Sequence, residues 1–195
     1  MTVRVAILTT GGTIDKTYDE SNGTLRNVGS VLHTIIDRMR LPDLEWKHVP
    51  IMCKDSLDMT EEDREIILQA VRLALMTDDA VIVVHGTDNL AVSGEAIYKE
   101  MGPLPKPVIL TGAIRPFEFR DTDAFQNLTE ALLACRLLPP GVYVVMHNQA
   151  LAFPGVVKDY DRMTFARADQ VSAAGSAGAA SGPGVRSRTF PMRHR

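Results

Sequence analysis

Threonine and serine hydroxyls, one carboxylate and one amine stand in this sequence at positions where they could share a nucleophilic reaction. Thr13 ends the run Val3-Arg-Val-Ala-Ile-Leu-Thr-Thr-Gly-Gly-Thr-Ile14, in which two glycines permit close backbone approach and the hydroxyl caps a stiff apolar support. An alcohol presented this way is a candidate nucleophile. The same turn would also suit a phosphate cradle or plain strand-to-loop punctuation, so its meaning depends on what other segments bring to it. Thr87 and Asp88 follow the apolar run Ala80–Val84, Ser56 follows Trp46–Met52, and Lys158 lies in the loop after Gly141–Met146. A threonine hydroxyl is a poor nucleophile at neutral pH and needs a base. A neutral lysine can serve; burial favours that form, whereas a carboxylate such as Asp88 opposes it but can orient the amine. Thr87, Asp88 and Lys158 would thus rebuild a Ser-Lys or Ser-His-Asp group from other residues. Backbone N–H groups at the glycine turns, Gly12 and Gly86, could hold the oxyanion of a tetrahedral intermediate.

These residues are useful together only if the fold gathers them. Apolar runs at Val3–Leu8, Trp46–Met52, Ala80–Val84, Pro107–Thr111 and Gly141–Met146 read as strands. Helical patterns alternate with them. Val31, Leu32, Ile35, Ile36 and Met39 mark a helix over Val28–Met39 with Ser30 as a possible cap; Thr60-Glu-Glu-Asp63 opens a second, with Ile66, Ile67, Ala70, Val71 and Leu75 as its stripe. A third runs from Asn89 to about Met101, and a fourth passes through Leu128, Ala131, Leu132 and Leu138. This alternation predicts an α/β fold: an open, mostly parallel sheet, flavodoxin- or Rossmann-like, with helices on both faces. The candidate residues then all follow carboxyl ends of strands, where such sheets bind ligands. The polar segment Ile14–Leu25, with Asn22-Gly23 inside it, predicts a β-hairpin flap beside Thr13. Tyr18 on that flap would either close over a substrate or pack the hairpin.

The composition bounds the partners. With 195 residues and 45% hydrophobic content the chain suits one well-buried domain, expected over residues 1–171. A net charge of -3 and a pI near 5.9 offer no long-range attraction for nucleic acid or an anionic membrane. No secretory signal or membrane-length apolar run is evident, so a cytoplasmic protein is expected. Cys53 and Cys135 are expected to be small, reduced, buried residues. His33, His48, His85, His147 and His194 lack ligand spacing and read as structural; no metal and no cofactor is called for. Residues 172–195 are rich in Ser, Ala and Gly, then basic through Arg186, Arg188, Arg193 and Arg195, and read as a disordered tail.

Thr10-Gly-Gly-Thr-Ile14, His85-Gly-Thr-Asp88 and Gly112-Ala-Ile-Arg-Pro116 resemble, in order and spacing, the signature segments of the bacterial-type L-asparaginase family. Asp55–Met59 and Val156–Lys158 fit less sharply, and the similarity spans roughly residues 3 to 168. The resemblance implies an amidohydrolase that converts asparagine to aspartate and ammonia through an acyl-enzyme. It casts Thr13 as nucleophile with Tyr18 assisting, and Thr87, Asp88 and Lys158 as the proton relay. Asp88 would also grip the substrate α-amine, Ser56 the α-carboxylate, and the Ala113 carbonyl the side-chain amide. Family members usually carry a second domain, so the resemblance describes a short, single-domain member, expected to form a homo-oligomer, either dimer or tetramer. Leu57 stands where many members place a glutamine that binds the amine, which leaves asparagine versus glutamine open. Three other readings stand beside it. One is a non-catalytic nucleotide or phospho-ligand module using Thr9–Thr13, weakened because no lysine follows the glycines and GxGxxG spacing is absent. The others are a catalytically dead, oligomer-forming relative and an asparaginase-like component of a transfer-RNA amidotransferase, the latter weakened by the acidic body.

Overall fold

A computed structural model describes residues 2–171; the expected tail, 172–195, lies outside the described residues. In chain order the elements are β1 (Val3–Gly11), a single-turn 3-10 helix (Thr13–Asp15), β2 (Lys16–Asp19), β3 (Thr24–Asn27), α1 (Leu32–Ile36), β4 (Leu44–Lys54) and a second 3-10 turn (Ser56–Asp58). They continue with α2 (Glu61–Thr77), β5 (Ala80–Val84), α3 (Leu90–Met101), β6 (Pro107–Thr111), α4 (Ala124–Leu137), β7 (Gly141–Met146), β8 (Gln149–Ala152), β9 (Val156–Asp159) and β10 (Thr164–Arg167).

The main sheet has six strands in the order β4-β1-β5-β6-β7-β8. β1, β4, β5, β6 and β7 are mutually parallel where they pair, and β8 adds an antiparallel edge. The parallel part is therefore the flavodoxin-like arrangement expected from the alternating pattern. The chain leaves β1 to one side, reaching β4 through α1, and then crosses back through α2 to β5 on the other side. β1 and β5 thus flank the point where the connection reverses, and a crevice opens outside their carboxyl ends.

Strand alternation divides the core between the two faces. Ala6, Leu8, Val81, Val83, Val108 and Leu110 pack with Ile67, Val71, Leu90 and Ile97 of α2 and α3. Val5, Ile7, Ile82 and Ile109 pack with Leu32 and Ile35 of α1 and with Leu128, Ala131 and Leu132 of α4. Because both faces are covered, β5 is buried along its whole length, which is why its sequence is a continuous apolar run.

Three local readings are revised. α1 covers only Leu32–Ile36, and its N-cap is Val31, not Ser30. The Ser30 hydroxyl lies one residue further out, accepting the Leu32 N–H at 3.2 Å while donating to Asp15 Oδ1 at 3.2 Å, and the helix tightens into i→i+3 bonds at Arg38 and Met39. Cys135 is buried, but Cys53 is exposed, since it lies near the end of β4, the sheet's edge strand, with no strand beyond it. β8 arises because His147 and Asn148 both take positive φ, 53° and 61°, and reverse the chain in a two-residue turn that the strand pattern did not signal.

The start of α2 behaves as its sequence requires. Thr60 Oγ1 accepts from the Asp63 N–H at 3.3 Å, and Asp63 Oδ2 accepts from the Thr60 N–H at 2.9 Å, so the two residues satisfy each other's free donors. Thr60→Ala is expected to lower stability in urea unfolding by about 1 kcal/mol, with Thr60→Ser close to the parent.

Candidate active site

Two glycines determine how closely the loops at the crevice approach. Gly12 has φ 83° and ψ -172°, a region that side chains avoid, and a Cβ there would collide with the Gly86 backbone. A Cβ on Gly86 would in turn lie 2.6 Å from Ser56 Oγ. The loops after β1 and β5 therefore touch through backbone, and the Ser56 side chain after β4 packs against the second of them. Gly112, after β6, lies against the His85 carbonyl and 3.5 Å from Thr87 Cγ2 on the same measure, which brings Ala113 to the same end of the sheet.

Lys158 reaches this place from the β9–β10 hairpin. Its Nζ donates to Thr87 Oγ1 at 2.9 Å and to Asp88 Oδ1 at 2.7 Å, across about seventy residues of chain. The Lys158 side chain is only 6% exposed, against 31% for Asp88. The hydroxyl, carboxylate and amine that the sequence separates thus meet in one hydrogen-bonded group. Thr13 is half-buried in the turn after Gly12, and its hydroxyl makes no hydrogen bond to another described residue.

The binding candidates sit around this group. Ser56 is fully buried; its Oγ accepts from the Asn89 N–H at 3.3 Å and its carbonyl from Asn89 Nδ2 at 2.6 Å. Ala113 is 1% exposed, while Leu57 projects outward at 68%. Tyr18 is not gathered with them. It is exposed on β2, its hydroxyl 3.8 Å from where a Gly23 Cβ would stand, while its N–H donates to Glu118 at 2.8 Å. The hairpin is tied down at its base by that bond and by Lys16 Nζ to Asp55 Oδ2 at 2.6 Å.

Several supporting residues were not singled out in the sequence. Asp55 precedes Ser56, and its hydrogen bond to Lys16 holds its carboxyl below the usual range against the cost of burial, with Lys158 contributing as a nearby positive charge. Asp123 fixes the loop after β6 by accepting the Ile114 N–H at 2.9 Å, the Arg115 N–H at 3.0 Å and His147 Nε2 at 2.8 Å. Burial opposes its ionisation, but these donors outweigh it and hold the carboxyl low. Asn127 Nδ2 bonds the Gly112 carbonyl at 2.9 Å. Tyr160 lies over the Lys158 amine, its ring centroid 4.9 Å from Nζ. Only the polar character of Asp55 and Asn89, inside loops already marked, could have signalled any of these.

His85 lies beneath the site, fully buried. Its Nδ1 is 2.8 Å from the Gly86 carbonyl, which can only accept, so Nδ1 carries the proton; Nε2 then accepts from Ser93 Oγ at 2.8 Å. Burial lowers its pKa to about 4, so it is neutral at pH 7. Asp15 is pushed the other way, to about 6, by burial, despite hydrogen bonds from the Val31 N–H and Ser30. Among the described residues no group of His, Cys, Asp and Glu is placed to hold a metal ion, and no helix is long and apolar enough to cross a membrane.

A flavodoxin-like sheet with glycine-packed loops and a Thr-Asp-Lys group at its switch point defines the class of site. The family described as "Asparaginase, N-terminal" matches residues 4–174, and the chain belongs to it. It is 34% identical over 164 residues to a component of the glutamyl-tRNA(Gln) amidotransferase of Aeropyrum pernix, covering 78% of this chain and 38% of that relative. It is 30% identical over 148 residues to L-asparaginase 1 of Escherichia coli K12, covering 73% and 43% respectively. The thermostable L-asparaginase from Thermococcus kodakarensis superposes with a TM-score of 0.75 at 28% identity, covering 84% of this chain and 51% of that one. The chain thus spans about half, or less, of the length of these relatives.

The two shifted groups oppose each other in the pH dependence of stability. The Asp15 contribution is present below pH 3.8 and is lost as pH rises through about 6; that of His85 is present above pH 6.5 and is lost as pH falls through about 4. Asp15→Asn leaves the His85 effect uncompensated, so chemical unfolding of the variant should show stability falling by about 3 kcal/mol between pH 6.5 and pH 4. The parent should show a clearly shallower slope over the same window.

Proposed function

We propose that this chain hydrolyses the side-chain amide of a small amino acid, with asparagine as the first candidate, through a threonine acyl-enzyme. The observation that carries the reading is the Lys158 amine held at 2.9 Å from the Thr87 hydroxyl and 2.7 Å from Asp88, beside the turn that presents Thr13. Family membership and the likeness to proteins named L-asparaginase support the choice of amide chemistry.

In this scheme Thr13 Oγ1 attacks the amide carbon, and its proton passes to the relay of Thr87 and neutral Lys158 as the C–O bond forms. The oxyanion is met by backbone N–H groups at the glycine turns, Gly12 and Gly86, where fixed donors cost no reorganisation. The C–N bond breaks as the relay returns that proton to the leaving nitrogen, and ammonia departs. Water then attacks the ester, its proton taken through Thr87 by Lys158 in its neutral form, and that proton is returned to Thr13 Oγ1 as the ester C–O bond breaks and the carboxylic product is freed. Asp88 orients the amine and accepts from the substrate α-amine. Ser56, whose hydroxyl proton is not committed to its bond with Asn89, donates to the α-carboxylate, and the Ala113 carbonyl accepts from the amide NH2. Leu57 offers no polar group to the α-amine, so Asp88 carries that contact and binding of free asparagine is weaker than with a second acceptor.

A second reading, amide hydrolysis within a transfer-RNA amidotransferase, is favoured by the 34% identity to the Aeropyrum pernix protein. A chain acting alone on asparagine would weigh against it.

Ammonia release from asparagine and glutamine by the purified chain tests the proposal. Thr13→Ala, Thr87→Val and Lys158→Met are each expected to lower kcat/KM by about a hundredfold or more, the scale for losing a nucleophile or its base. A Thr13→Ala variant as active as the parent would remove Thr13 as nucleophile, and release from neither amide would remove the activity.

A further inference from the structure

The Lys158 amine has three sides to account for. Two face Thr87 Oγ1 and Asp88 Oδ1. On a further side stands Tyr160, its ring centroid 4.9 Å from Nζ, within range for a cation–π contact. This explains an otherwise odd pairing of exposures. Tyr160 is 62% exposed on a surface hairpin, yet the Lys158 side chain beside it is 6% exposed.

The ring is carried by an ordered turn. Asp159 Oδ1 accepts the N–H groups of Asp161 at 3.1 Å and Arg162 at 3.0 Å, and Met163 closes the turn at φ 50°. Opposite Lys158 in the β9–β10 ladder is Phe165, 2% exposed, which anchors the hairpin to the core. Lys158 therefore enters the site from a fixed strand, and its amine end is covered by a ring on the same hairpin.

We propose that Tyr160 is a positioning residue for Lys158: its ring face covers the outward side of the amine, displaces water from it, and keeps the nitrogen directed at Thr87 and Asp88. The phenol oxygen is not required for this. A lysine free to turn toward solvent would spend much of its time hydrated and away from the threonine hydroxyl, so the cover bears on turnover more than on substrate binding. The inference rests on the amidohydrolase reading for its kinetic consequence, but the shielding itself does not.

The test uses Tyr160→Phe, Tyr160→Leu and Tyr160→Ala in the full chain, with circular dichroism and urea midpoints to establish folding. The Phe variant should match the parent. The Ala variant should lose about tenfold in kcat with KM within about twofold as the amine loses its cover and its aim at Thr87, and Leu should fall below Phe. Independently of turnover, reductive methylation with formaldehyde and cyanoborohydride, followed at Lys158 by peptide mass spectrometry, should run several-fold faster in the Ala variant and at the parental rate in Phe. A folded Tyr160→Ala or Tyr160→Leu chain with parental methylation would overturn the proposal, as would a Phe variant as impaired as Ala. If the parent releases no ammonia, the amidohydrolase reading fails while the methylation result still decides the role of Tyr160.

Discussion

Backbone meeting backbone at Gly12 and Gly86 is the constraint from which the geometry of this site follows. At the switch point the connections after β1 and β5 diverge to opposite faces, which leaves a crevice that ordinary side chains would fill. Glycine keeps the floor of that crevice as main chain, with the Ser56 side chain packed directly against it. Thr13 and Thr87 each follow one of these glycines, so their hydroxyls stand on supports whose separation is set by van der Waals contact. Rigid placement of this kind is what nucleophilic chemistry needs, because small displacements of reacting groups are costly.

Around that floor the charges are arranged so that each loop is tied to another. Lys16 and Asp55 join the hairpin base to the loop after β4, Lys158 and Asp88 join the β9–β10 hairpin to the loop after β5, and Asp123 gathers the loop after β6 and His147 after β7. Most of these bonds link segments far apart in sequence, and they hold half-buried loops that carry few apolar side chains of their own. His85 beneath the site stays neutral because both ring nitrogens are satisfied without charge and burial disfavours the cation. Polar groups therefore stiffen the site where hydrophobic packing stops.

Every residue given a role in the proposed chemistry lies within the region matched by the family, residues 4–174. That region corresponds to about half, or less, of each relative compared. Within that region the described residues bring together the turn that bears Thr13 and the hydrogen-bonded group of Thr87, Asp88 and Lys158. Leu57 lies in the same region, an apolar residue 68% exposed next to the buried Ser56.

The sequence by itself determined the strand and helix alternation, the burial of β5, the capping of α2 and the assignment of polar loops to one edge of the sheet. These follow from local patterns, period two or 3.6 and short-range capping, which are written within a few residues of each other. It also marked Thr13, Thr87, Asp88 and Lys158 as candidates, but only tertiary structure decided that Lys158 meets Thr87 and Asp88, that Tyr18 stands apart and that Tyr160 covers the amine. The short α1, the exposed Cys53 and the added β8 were likewise settled there. Ser30 divides its hydroxyl between the Asp15 carboxylate and the Leu32 N–H, Cys53 is exposed by its place on an edge strand, and β8 depends on two positive-φ residues with no glycine to announce them. Such outcomes rest on which neighbours arrive from distant parts of the chain, and no local pattern encodes the identity of a neighbour about seventy residues away.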